Sequence, residues 1–138
     1  LSLMDTVDGF CRANQLKYTL SGGSMLGAVR HNGFIPWDDD VDICMPRPDY
    51  ERFLDMYVSK DYVIYDTRYQ KDYPYGFAKV SDRNTVLIED IEKPCKFGVY
   101  IDIFPLDNIW NPLYKLQTAI LIKLQAIRDF KIRGVGRK

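Results

Sequence analysis

The chain predicts a mixed α/β domain, a small mixed sheet with flanking helices, on three observations. Apolar residues recur at helical spacing near the start, in the middle and towards the end of the chain. Short runs in which polar and apolar residues alternate, or in which β-branched and aromatic residues cluster, lie between them and read as about four or five strands. Glycine and proline pairs punctuate the boundaries.

Leu3, Val7, Phe10 and Cys11 share one helical face, predicting an opening helix that fades near Asn14. Tyr18, Thr19 and Leu20 read as a short strand broken by Gly22 and Gly23, after which Ser24 is expected to cap a helix over residues 25–30. Beyond a loop through Gly33 and Pro36, residues 40–45 alternate polar and apolar, as a strand with one open and one buried face does, and Pro46 and Pro48 stop it. Tyr50, Phe53, Leu54 and Tyr57 then mark an amphipathic helix over residues 49–57. Strands are expected at residues 62–65, 77–81, 86–89 and 99–104. Pro112 begins a last helix, whose stripe of Leu113, Leu116, Ile120, Leu124 and Ile127 is widened by Leu121 and Ile122.

Length and composition bound the function. At 138 residues the whole chain, 1–138, is expected to be a single domain with one core. A content of 46% hydrophobic and 28% charged residues excludes disorder and fibrous classes. Nineteen basic and nineteen acidic residues cancel, which excludes a general nucleic-acid binder held by a positive face. Locally the balance breaks: Asp38, Asp39, Asp40 and Asp42 cluster, whereas residues 123–138 carry six basic side chains against Asp129 alone. Cys11, Cys44 and Cys95 form no C-x-x-C pair, so neither a disulfide framework nor a zinc site is signalled, and a cytoplasmic location is expected. No apolar run is long enough to span a bilayer.

The strongest chemical signal is Asp40-Val41-Asp42-Ile43. Residues two apart on a strand share a face, so both carboxylates are presented together while Val41 and Ile43 turn to the core. Two such anions call for a cation, and oxygen-only ligands suit Mg²⁺ or Mn²⁺, whose usual further partners are substrate phosphates. Asp102 lies on a second strand between two isoleucines; were the two strands neighbours, the carboxylates would face each other at roughly 5 Å. An EF-hand starting at Asp38 is excluded, because Ile43 stands where glycine is needed and Asp49 where glutamate is. Gly22-Gly23-Ser24 before a helix offers backbone N–H groups at the positive end of a helix dipole, an anion site, although it matches neither a dinucleotide fingerprint nor a P-loop.

The stretch SGGSMLGAVRHNGFIPWDDDVDICMPRPDYERF, followed by FAKVSDRNT and GVYIDIFPLDN, closely resembles the LicD family of phosphotransferases, relatives of the fukutin proteins within the polymerase-β-like nucleotidyltransferase superfamily. The superfamily pattern of a Gly-Ser turn, two aspartates on a strand and a third on a neighbouring strand is matched in order by Gly23-Ser24, Asp40 with Asp42, and Asp102. Family domains run beyond residue 138, so the chain is expected to be the N-terminal part of one.

The resemblance implies transfer of a phospho-alcohol, foremost phosphocholine from CDP-choline, to a hydroxyl of a cell-surface glycan precursor such as a lipopolysaccharide, teichoic acid or lipid-linked sugar. The implied catalytic residues are Asp40, Asp42 and Asp102, which also serve as ligands of Mg²⁺ or Mn²⁺ with Asp38 as a further ligand, direct or through water. Asp102 would alternatively accept the acceptor's proton, and Asp39 would face solvent. Gly23, Ser24, Arg30, Trp37 and Lys79 are the substrate-binding candidates, with Arg47 and Arg83 weighed as phosphate contacts against ordinary surface ion pairs. Trp37, Tyr73 and Tyr75 are weighed as a cation–π cage for choline, and His31 as a loop-packing residue. Residues 115–138 are expected to contact an anionic membrane at its inner face, to close the domain, or simply to pack on the sheet. Two rivals stand beside this reading: a glycosyltransferase using Asp-x-Asp to hold a nucleotide sugar, for which the 37 residues before Asp38 are too few to build a Rossmann half, and a non-catalytic nucleotide- or glycan-binding domain.

Overall fold

A computed structural model describes residues 2–87, 97–108, 114, 116 and 118–123. The apolar periodicity at the start produces α1 (Ser2–Ala13), whose buried Leu3, Val7 and Cys11 recur every fourth residue. Strand β1 (Thr19–Leu20) follows, then α2 (Gly22–His31), β2 (Asp42–Pro46), α3 (Arg47–Met56), β3 (Tyr62–Tyr65), β4 (Ala78–Asp82) and β5 (Tyr100–Leu106). Five strands form one sheet in the order β1-β2-β5-β4-β3; β2 and β5 run parallel, and the other neighbours are antiparallel. The mixed sheet and its helices are those predicted.

Alternation along the strands gives the sheet two unlike faces. Ile43 and Met45 of β2, Ile101 and Ile103 of β5, Ala78 and Val80 of β4 and Ile64 of β3 are buried with Val7, Cys11, Phe53 and Leu54 of the helices in one core. Phe10 meets Phe53 edge-on at 5.6 Å and Tyr57 at 4.9 Å, and Phe53 and Tyr57 stack at 4.8 Å. The intervening residues Asp42, Asp102 and Lys79 belong to the other face.

Several boundaries differ from those read in the sequence, the following three among them. Ser24 does not cap α2: the N-cap is Ser21, extended at φ −137°, whose carbonyl accepts the first helical bond from the Met25 N–H at 3.0 Å. The two glycines therefore form the first turn of the helix instead of a turn before it. Strand β2 begins at Asp42, so Asp40 lies on the approach to the strand and not on its ladder. Helix α3 begins at Arg47, two residues early, because proline fits the first turn, where its missing N–H would be unpaired anyway. Of the strand expected at residues 86–89, Leu87 makes a single antiparallel bridge to Phe97, Val86 is exposed and in no strand, and residues 88 and 89 lie outside the described residues. Cys95, Leu113, Leu124 and Ile127 also lie outside them.

The chain divides into two compact units, Leu1–Asp107 and Asn108–Lys138. In the second, residues 114, 116 and 118–123 are helical, and Leu116, Ile120, Leu121 and Ile122 of the expected stripe are exposed. Among the described residues no helix is long and apolar enough to cross a membrane.

Candidate functional site

Strand pairing places the two carboxylate segments side by side. Asp42 is in direct register with Asp102 on the parallel neighbour β5, and the Asp102 N–H donates to the Val41 carbonyl at 2.9 Å. Ile101 and Ile103, which flank Asp102, are buried on the opposite face. Helix α2 is locked to the same point: the Ser21 N–H donates to the Asp42 carbonyl at 3.0 Å, and the Asp42 N–H donates to the Ser24 hydroxyl at 2.9 Å. Ser24 thus ties helix to strand through its side chain, the task that its expected capping role would have left open.

The glycines make room for the acids. Gly22 adopts φ +53°, a conformation that glycine takes at little cost, and a Cβ there would run into Oδ2 of Asp42. A Cβ at Gly23 would overlap Oδ2 of Asp38. Both carboxylates therefore lie against the first turn of α2, where backbone N–H groups have no intrahelical partners and the helix dipole favours negative charge.

Asp38, Asp39 and Asp40 offer carboxylate oxygens all within 4.8 Å of one another. Asp38 Oδ2 is buried and has no hydrogen-bond partner, a costly state for a carboxylate oxygen unless a cation completes it. The acidity shifts agree. Burial holds the Asp40 carboxyl above its ordinary range, with Asp38 and Asp39 adding repulsion. Burial also raises Asp42, with Asp40 and Asp38 adding to it and Lys79 opposing. A hard divalent cation would offset both the burial and the repulsion, and the donor set is all oxygen, so the residues fit Mg²⁺ or Mn²⁺.

Asp102 stands apart from that group. It is 8% exposed, and its Oδ1 accepts from Lys79 Nζ at 2.6 Å. Burial pushes its carboxyl up to about 6 against the pull of Lys79, with Asp42 and Asp40 adding to the rise. Lys79 is itself 2% exposed. Its Nζ lies 3.4 Å from the ring centre of Tyr100, 4.9 Å from Tyr75, 5.3 Å from Phe97 and 5.4 Å from Phe77. Desolvated cation–π contacts of this kind are worth about 2 kcal/mol or more. An aromatic cage is therefore present, and the cation inside it is the protein's own. This box is what sequence reading missed, although Tyr75, Phe77 and Lys79 alternate in a way that places them on one face.

The remaining candidates scatter. Arg30 is exposed in the last turn of α2 and is held by no carboxylate among the described residues. Trp37 is 81% exposed, with its ring edge-on to the equally exposed His31 at 6.4 Å. Tyr73 is buried, stacked near Tyr65 and in contact with Tyr75. Arg47 makes a bidentate pair with Asp107, at 2.7 and 2.6 Å, and Arg83 donates to the Tyr62 carbonyl at 3.1 Å, so both are engaged structurally.

Comparison with known proteins identifies the family. Residues 15–121 match the family described as LicD/FKTN/FKRP, nucleotidyltransferase domain. The chain is 32% identical over 144 aligned residues to the lipopolysaccharide cholinephosphotransferase LicD of Haemophilus influenzae, covering 97% of this chain and 54% of that protein. It thus spans about half the length of that relative. A shorter stretch of 37 residues is 54% identical to the ribitol 5-phosphate transferase FKRP of human and mouse, covering 27% of this chain and 8% of those proteins. The yeast mannosyltransferase regulator 4 is 33% identical over 119 residues, 80% of this chain and 10% of that protein. With the family match spanning the glycine turn, the aspartate cluster and both carboxylate strands, the chain belongs to the LicD/FKTN/FKRP nucleotidyltransferase domain family.

Proposed function

We propose that this chain carries the catalytic face of a metal-dependent phosphotransferase, on a polymerase-β-like scaffold, that moves a phospho-alcohol from a CDP-alcohol to a hydroxyl of a cell-surface glycan or lipid-linked sugar. The observation that carries the reading is the clustering of the Asp38, Asp39 and Asp40 carboxylates, with Asp38 and Asp42 lying against Gly23 and Gly22 and a buried oxygen of Asp38 left without a partner. Asp38, Asp40 and Asp42 would hold Mg²⁺ or Mn²⁺, which when bound neutralises the donor diphosphate and the departing CMP. The N–H groups of the first turn of α2 would orient the phosphates. Asp102, raised to about 6 and therefore a competent base near neutrality, takes the acceptor hydroxyl's proton as its oxygen attacks phosphorus. Little more is asked of the protein than alignment.

CDP-choline is the first choice of donor, because the likeness to the Haemophilus cholinephosphotransferase runs through nearly the whole chain. The local likeness to the ribitol 5-phosphate transferases favours CDP-ribitol as the second. Since Lys79 fills the aromatic box, the donor's alcohol is read elsewhere, and of the rings weighed for a choline cage Trp37 is the exposed one. Isothermal titration with CDP-choline, CDP-ribitol and UDP-sugars, each with and without Mg²⁺, tests the proposal. Mg²⁺-dependent binding of a CDP-alcohol is expected; preference for a UDP-sugar would move the assignment to a glycosyltransferase, and binding that ignores Mg²⁺ would remove the metal.

A further inference from the structure

We propose that Lys79 competes with the divalent cation for Asp102, keeping that carboxylate out of the metal's ligand set. The proposal rests on the metal reading above and adds to it a residue that sets which acids the ion obtains. Three observations carry it. Asp102 is in register with Asp42, close enough to the acidic cluster to be drawn into it. Its Oδ1 is instead taken by Lys79 at 2.6 Å, and the pair is almost wholly buried, so water does not screen the attraction. The ammonium is retained on its other side by four aromatic rings, with Tyr100 nearest at 3.4 Å, so it cannot leave for solvent without giving up both the carboxylate and the rings.

The competition has a simple logic. One carboxylate faces two cations, an internal monovalent one fixed to β4 and an external divalent one beside β2. With Lys79 present, the ion is confined to Asp38, Asp40 and Asp42, and Asp102 stays available for the acceptor's proton. Without it, Asp102 is a buried anion with no counter-charge among the described residues, and the ion recruits it as a further ligand. A purely structural lysine gives the opposite sign, since loosening the site weakens metal binding.

The test is direct Mn²⁺ titration of the protein, by calorimetry or by loss of the free-ion electron paramagnetic resonance signal. Lys79→Met is expected to bind Mn²⁺ roughly tenfold more tightly than wild type, as one added carboxylate ligand implies. The double variant K79M with D102N should return to about the wild-type affinity. Where K79M does not fold, Lys79→Gln keeps a hydrogen-bond donor for Asp102 without the charge, and the same tightening is expected. Unchanged or weaker binding in folded K79M or K79Q overturns the competition. So does tight binding that persists in the double variant, because the gain would then come from removing a positive charge and not from Asp102. Failure of the wild type itself to bind Mn²⁺ refutes the metal reading instead, so the two failures are distinguishable.

Discussion

Alanine at Gly23 separates a ligand-making glycine from a merely permissive one. A Cβ at this position overlaps Oδ2 of Asp38, the tip of a side chain that can swing away, so the backbone need not move. Gly23 lies within α2 and its φ is not in the left-handed region, so alanine there gains up to about 0.5–1 kcal/mol of helix stability. The displaced Asp38 would lose its place at the proposed metal site, and a contact to a charged group is worth about 1.5–3 kcal/mol, or roughly 10- to 150-fold in affinity. Gly23→Ala should therefore keep or slightly raise the melting temperature while weakening Mn²⁺-dependent CDP-alcohol binding by at least tenfold. Gly22→Ala behaves differently. Its φ of +53° costs a non-glycine residue about 1–2 kcal/mol, so the melting temperature should fall by several degrees, at roughly 4 °C per kcal/mol. Differential scanning fluorimetry and isothermal titration on the two variants decide it. Wild-type affinity in a folded Gly23→Ala protein would refute the argument that Asp38 belongs to the binding site.

Asn at Asp40 or Asp42 should abolish Mn²⁺ dependence of nucleotide binding with the circular-dichroism spectrum intact; unchanged affinity in both removes them as ligands. Asp102 protonates near pH 6, so transfer activity should fall as pH drops through about 6 and lose that limb in Asp102→Asn. For stability the sign is reversed: the folded carboxyl lies above its unfolded value of about 3.9, so its unfavourable contribution is present above about pH 6 and disappears as pH falls towards 4. Phe53→Ala, which empties a fully buried site against Phe10 and Tyr57, should cost about 3–5 kcal/mol in urea unfolding. The exposed apolar residues Leu116, Ile120, Leu121 and Ile122, followed by the basic residues of the chain's end, should give salt-sensitive sedimentation with anionic liposomes; no binding at low salt removes the membrane contact.

Periodicity made the scaffold legible. The helical spacing of Leu3, Val7 and Cys11, and of Tyr50, Phe53 and Leu54, follows directly from which face is buried, and alternation over residues 40–45 located β2, which begins two residues later. Residue chemistry brought Asp42 and Asp102 into one argument, and the ladder pairs them directly. What stayed hidden depended on contacts between distant segments. Ser24 follows two glycines and resembles a cap, yet its hydroxyl is claimed by the Asp42 N–H eighteen residues away. Lys79 looks like any strand lysine until Asp102 and rings from residues 75, 77, 97 and 100 converge on it. The carboxylate group of Asp38, Asp39 and Asp40 also differs from the alternating pair read on a strand, because the ladder begins only at Asp42.

Of the two acidic positions of this face only one is neutralised by the protein itself, and that difference bears on what the face does. At Asp102 the fold supplies its own cation, desolvated and ringed, so the carboxylate is held in place whether or not a ligand is bound. At Asp38, Asp40 and Asp42 the described residues supply no comparable counter-charge: both Asp40 and Asp42 are raised by burial and mutual repulsion, and an oxygen of Asp38 is buried without a partner. These three carboxylates are half-buried, so water screens their repulsion only in part. The unbalanced cluster is held against a glycine turn that only small residues permit, while α1, α3 and the apolar face of the sheet make a rigid platform behind it. Repulsion among acids held on such a platform is what the proposed cation would relieve, whereas Asp102 beside it already has its partner in Lys79.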